Sequence, residues 1–265
     1  MKYKLIVLAI LTTAIYSCNK DIIEPVSSFT LNGDTISTLK LETFDEFRVT
    51  NNSINADSVL WDLGDGRTSK ENNPSLSYPK SGTYTLKLIA RNNNGSFRES
   101  SKKIVVLDRV LKRIEISSVD WDPTNTTEGW PTTNSTVDIY FQIQLFTDHT
   151  MDPIGIYPKC PVLYTSPIVK NISNHTYRPN NPIVFYLDQK FIINKALVHN
   201  PLYGEKNAYL FSVMAKDING KTYCLVNSTF VGEAFGFQRD NVKENLFTII
   251  GGAAGTYFTL VGTFE

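Results

Sequence analysis

Excess charge of either sign is absent from this 265-residue chain, which holds 26 basic and 26 acidic residues. No electrostatic footprint for nucleic acid or anionic lipid is therefore present. Histidine is scarce, and His149, His175 and His199 are scattered without i,i+4 or His-x-His pairing, so there is no zinc signature. No Gly-x-Ser-x-Gly turn occurs, and no Cys/His context suggests a nucleophile. "GKT" at 220–222 has Ala215 where a phosphate loop needs glycine, and "GGAAG" at 251–255 reads as a hairpin turn between two strand-like runs. Helical signal is missing as well. Beyond the N-terminus no segment keeps a 3.6-residue apolar period over about a dozen residues.

What is present starts with MKYKLIVLAILTTAIYSC. Lys2 and Lys4 form a positive n-region before an apolar run from Leu5 to Leu11, the pattern of a secretory signal. It is too short to cross a bilayer, which takes about 20 apolar residues. Its end, "IYSC", resembles a bacterial lipobox, which implies cleavage before Cys18 and acylation of that residue. Several acyl chains, at roughly 0.8 kcal/mol per buried methylene, would hold the chain on a membrane. The "NKDIIE" that follows resembles a surface-export signal of Gram-negative lipoproteins. The expected place is the outer membrane, lipid-anchored and facing the cell surface. Removing residues 1–17 takes Lys2 and Lys4 away and leaves a net charge of about −2.

Period-two alternation recurs in "TYTLKLIAR", "TVDIYFQIQLF", "AYLFSVMAKD", "KTYCLV" and "TYFTLVGTF", separated by Asn, Gly, Pro and Ser clusters. The fold class is all-β, with two β-sandwich domains. Composition divides the chain into a signal peptide (1–17), a lipidated cysteine and tether (18–27), a first domain (28–108) and a larger second domain (109–265). "LDRVLKRIEI" (107–116) comes nearest to a helical period and reads equally well as a strand entering the second domain. Cys160 and Cys224 remain in an oxidising compartment, where a disulfide is permitted and buried free thiols are equally ordinary.

Within residues 28–108, "WDLGDG" (61–66) is the stretch most suggestive of chemistry, with two aspartates and two glycines beside a tryptophan. Alternation places Val59, Trp61 and Leu63 on one face, so Trp61 anchors a core. Asp65-Gly66 supplies the positive φ of a tight hairpin, Gly64 relieves crowding, and Asp62 and Asp65 accept turn amides. Calcium wants six or more oxygens, and two carboxylates fall short. "WDLGDG" followed by "NNPSLSYPKSGTYTLKLIARNNNG" (72–95) resembles a PKD domain, an immunoglobulin-like sandwich. That resemblance makes Trp61, the acidic glycine turn and the Tyr84 strand structural. Ser77 stands where the family usually has histidine.

In the second domain, "STVDIYFQIQ" (135–144), "YLFSVMAKD" (209–217) and "STFVGEAFGF" (228–237) resemble a C2-like β-sandwich. Asp138 and Phe230-Val231-Gly232-Glu233 match its motifs, and Ala215 replaces the first aspartate of the pair that ends at Asp217. The resemblance implies calcium ligands on loops at one end, with Asp120, Asp122, Asp138 and Asp217 as candidates. The alternative makes them turn residues, Asp217 opening the "DINGK" hairpin, and the missing ligand at Ala215 favours it. Trp121 and Trp130, in the long loop "DWDPTNTTEGWPTTNST" (120–136), either form an exposed shelf for a sugar ring or protein partner or plug the sandwich end. The expected function is a non-catalytic binding or adhesion module for an unidentified glycan or protein, with the first domain as spacer. A structural accessory subunit of an outer-membrane assembly is the alternative. A hydrolase fits less well, because no larger catalytic domain accompanies the acidic residues.

Overall fold

The computed structural model describes residues 23–124, 130–131, 136–152, 156–193, 209–228, 236–242 and 244–265, with side chains undescribed at 236–241. Signal peptide, Cys18, His199 and Phe230–Glu233 lie outside the described residues. All regular structure among the described residues is β, and no helix there is long and apolar enough to cross a membrane.

The first sandwich is built from β1 (Phe29–Leu31), β2 (Thr38–Glu42), β3 (Phe47–Asn51), β4 (Ser58–Asp62), β5 (Thr68–Ser69), β6 (Ser75–Leu76), β7 (Gly82–Arg91) and β8 (Phe97–Leu107). One sheet runs β1-β3-β6 and the other β2-β8-β7-β4-β5, with β2 parallel to β8. Inward residues of both sheets, among them Leu31, Val49, Trp61, Leu86, Leu88 and Ile104, close one core. Residues 23–27, assigned by sequence to the tether, also touch this unit: Val26 bridges Ile54, and the Ile23 carbonyl accepts from Asn92.

"WDLGDG" proves to be scaffolding. Trp61 is fully buried, edge-on to Phe29, and its indole N–H donates to the Glu71 carbonyl at 2.8 Å. Asp62 accepts from the Gly64 amide at 2.9 Å, and Asp65 from the Arg67 amide at 3.0 Å and its Nε at 2.7 Å. Gly64 and Gly66 both have positive φ, and a Cβ on Gly64 would lie 2.6 Å from the Thr85 carbonyl oxygen. Tyr78 stacks on Tyr84 at 4.2 Å between centroids, and the Tyr84 hydroxyl closes the turn onto the Lys80 carbonyl.

The second sandwich contains β9 (Arg109–Val119), β10 (Thr136–Leu145), β11 (Val162–Thr165), β12 (Val169–Ser173), β13 (Thr176–Tyr177), β14 (Ile183–Ile192), β15 (Tyr209–Lys216), β16 (Thr222–Asn227), β17 (Gly236–Asn241), β18 (Leu246–Ala253) and β19 (Thr256–Phe264). One sheet runs β11-β10-β15-β16, with β12 also on β10. The other runs β9-β19-β18-β17, and β13 and β14 follow one another along the free side of β9. The expected hairpins form: Gly220 closes Asp217–Lys221, and Ala254-Gly255, both at positive φ, join β18 to β19.

A single residue, Asp108, separates the two units, and its N–H and carbonyl pair with those of Glu265 at 2.7 and 2.9 Å. Beside it, Arg109 donates from Nε and Nη2 to the Glu42 carboxylate of the first sandwich.

Candidate functional site

Where β9 ends, its in-and-out alternation continues into the long loop. Ser118 and Asp120 face outward, while Val119 and Trp121 turn into the core. Two side chains from other strands fix this turn. Thr256 Oγ1, buried, accepts from the Asp120 amide at 3.0 Å and donates to the Asp120 carbonyl at 2.8 Å. The Asn174 carboxamide accepts from the Trp121 amide at 2.9 Å and donates to its carbonyl at 2.8 Å. Both peptide units of the loop entrance are thus satisfied within the protein.

This geometry divides the two tryptophans. Trp121 is 1% exposed and part of the core, so the exposed-shelf reading fails for it and the plug reading holds. Trp130 is half-buried, packs on the same core from outside, and lines an open pocket of about 250 Å³ with Asp120, Asp122, Pro123 and His175. On the rim, His175 Nδ1 lies 2.7 Å from Asp120 Oδ1, with the histidine side chain 74% exposed. Gly255 makes this arrangement possible, because a Cβ there would lie 2.7 Å from that of Asp120.

The four candidate calcium ligands lie at this end of the sandwich as separate acceptors. Asp122 takes the amide and hydroxyl of Thr124, Asp138 the amide of Asn171, and Asp217 the Lys221 amide and the Tyr223 hydroxyl. Among the described residues no three His, Cys, Asp or Glu side chains come together in a way that could hold a metal ion, so the four do not form one cluster. Cys160 and Cys224 are both free and buried, so of the two readings the structure has the unpaired thiols. Cys160 sits with Phe146, Tyr157 and Leu210, and burial pushes the Cys224 thiol up to about 12.

The outer face of β9 and its neighbouring strands carries three tyrosines that no local sequence pattern marks. Tyr177 and Tyr257 both pair with Ser118 from opposite sides, and Tyr186 pairs with Arg113 further along. They are 73%, 39% and 77% exposed, in the order Tyr177, Tyr257 and Tyr186. Their shared row depends on strand register, which no local pattern carries.

Comparison with known proteins places the first sandwich. Residues 24–106 match the family model described as PKD domain. Collagenase ColQ1 of Bacillus cereus (strain Q1) is 41% identical over 58 residues, 22% of this chain and 6% of the collagenase. This chain therefore spans only about a twentieth of such curated relatives. The PKD1 domain of the Vibrio cholerae metalloprotease PrtV is 33% identical over 32% of this chain and 98% of that domain, at a TM-score of 0.27. A structure of carbohydrate-binding modules from the β-sandwich superfamily is 11% identical over 92% of this chain and 98% of that one, at 0.29. The first unit is thus a PKD domain, immunoglobulin-like, followed by a larger β-sandwich.

Proposed function

We propose that this chain is a lipid-anchored, surface-displayed binding module without catalytic activity. The PKD domain is its spacer, and the end of the second sandwich is its recognition site. The observation that supports the reading best is the Asp120–His175 pair beside Trp130, carried on a loop whose peptide groups Thr256 and Asn174 hold in place. A carboxylate and an imidazole offer hydrogen bonds of fixed direction, and a half-exposed indole offers a ring face, which is the equipment for holding a sugar ring or a polar loop of a partner. Rigid placement lowers the ordering cost on binding. Anchorage rests on the lipobox-like sequence at Cys18.

The test has two arms. Palmitate labelling of cells expressing the full chain should mark the wild type and be lost in Cys18→Ser. Glycan and protein arrays probed with residues 19–265 should give saturable binding that Trp130→Ala/His175→Ala weakens. Bond cleavage in a bound ligand, lost on changing one carboxylate, would sink the non-catalytic reading. Empty arrays together with one stoichiometric membrane partner in pull-downs would replace it with an accessory subunit.

A further inference from the structure

We infer that the ligand is an uncharged polysaccharide strand, lying along the outer face of β9 from the Asp120–His175 rim across Tyr177, Tyr257 and Tyr186. The inference rests on the binding reading above and extends it from a pocket to a track. Residue register carries the argument. Tyr177 and Tyr257 flank Ser118 on the two neighbouring strands, which puts their backbones about 10 Å apart. Tyr186 flanks Arg113, about 16 Å further along on the Tyr177 side. Between these rows lies one of Val184, Glu115 and Thr259. The Asp120–His175 pair continues the same face at its end, since Asp120 follows Ser118 and His175 precedes Tyr177 in the outward phase.

Chemistry selects the occupant. Three ion pairs border the track, Arg113 with Glu115 at 2.6 Å, His175 with Asp120 at 2.7 Å, and Lys112 with Glu265 at 2.5 Å, while the exposed Arg178 and Lys190 are offset in part by Asp188. A face whose charges largely cancel gives little steering to a polyanion or a charged peptide. Exposed phenol rings spaced by hydroxyls and carboxylates suit a chain that alternates apolar ring faces with hydroxyl edges. The Tyr257 ring is also held in position. It lies against Gly252 on β18, its register partner, where a Cβ would come within 2.2 Å of the ring.

The experiment is native electrophoresis of residues 19–265 through gels containing hydroxyethylcellulose, xylan, galactomannan, laminarin or dextran. Calorimetry with a hexasaccharide and a disaccharide of any retarding polymer follows. Retardation by at least one neutral polymer is expected. Tyr177→Ala/Tyr257→Ala should weaken hexasaccharide binding by about tenfold or more, and Tyr186→Ala should weaken the hexasaccharide while sparing the disaccharide. These side chains are exposed, and unchanged melting temperatures would show the variants folded. Retardation abolished by Trp130→Ala/His175→Ala yet untouched by the tyrosine changes would overturn the track and leave the pocket standing. No retardation in any gel overturns the track; if the arrays are also empty, the pocket reading goes too. A tyrosine-dependent dimer in sedimentation, with no sugar binding, would assign the face to a second copy of the chain.

Discussion

Glu42 and Arg109 meet as a two-pronged ion pair, at 2.9 and 2.6 Å, with neither side chain exposed to solvent. The guanidinium carbon also lies 4.9 and 5.1 Å from the ring centroids of Phe247 and Phe264. A carboxylate from the end of β2 is thereby fastened to the first residue of β9, across the junction of the two sandwiches. Removing one partner leaves a buried charge uncompensated, at a cost of about 3–5 kcal/mol. Arg109→Met and Glu42→Gln should each lose that order of stability in urea titrations. Glu42→Leu/Arg109→Met should recover much of it, since apolar replacement of both charges is often near neutral. The wild type should unfold in one transition and Arg109→Met in two; two transitions in the wild type would refute the coupling.

The tryptophans offer a second check. Trp121→Ala empties a core position and should cost about 3–5 kcal/mol. Trp130→Ala removes a half-exposed ring and should cost under about 2 kcal/mol. Iodide should quench Trp130 fluorescence and leave Trp61 and Trp121 untouched. Equal losses for the two substitutions would contradict the assignment.

In the acidic turn, Gly66→Ala meets open space and carries only the left-handed backbone penalty, about 1–2 kcal/mol. Gly64→Ala adds a collision with the Thr85 backbone and should be clearly worse. Denaturation midpoints of the two variants decide the order.

Alkaline pH should destabilise the fold. Cys224 moves from its ordinary 9.0 up to about 12, mainly through burial, and burial also raises Tyr78, Tyr140 and Tyr209. An unfolded chain gives up these protons at lower pH than the folded one. Stability from Cys224 is therefore complete below pH of about 9 and declines as pH rises toward about 12. Urea midpoints should be flat from pH 7 to 8 and fall by pH 10. Cys224 should resist thiol reagents until the protein unfolds; rapid labelling of both cysteines in the native state would contradict its burial.

Local chemistry made the first sandwich legible. Trp61 at the end of β4 and Asp65 and Gly66 in the turn after it lie within six residues, and each does there what its residue type favours. Simple alternation along β9 misplaces Trp121, because the strand carries a bulge. Ile114 and Ile116 point inward, then register slips at Ser117, and Val119 and Trp121 take over the inward phase. Without that slip, simple alternation would put Ser118 and Asp120 inside. Tyr177 and Tyr257 were invisible as a pair because they come from strands far apart in the chain, joined only through Ser118. Glu42 and Arg109 were hidden for the same reason. Each looks like an ordinary strand-end charge until the sandwiches meet.

The single-residue junction at Asp108 has a mechanical consequence. Glu24 and Ile23, just before β1, contact Arg98 at the start of β8 and Asn92 in the turn that precedes it. From there β8 leads to the junction and β9 leads onward to Asp120, eleven residues each, about 36 Å apiece. On the proposed anchoring, a pull between residue 23 and a ligand held at Asp120 would load these contacts and the two strands that lead from them toward the ligand. Each lies between hydrogen-bonded neighbours, β2 and β7 for β8, and β19 with β13 and β14 for β9. Such a load shears many hydrogen bonds at once instead of unzipping them one by one. The chain is thus braced along the direction in which a tethered, ligand-bound surface protein would be pulled.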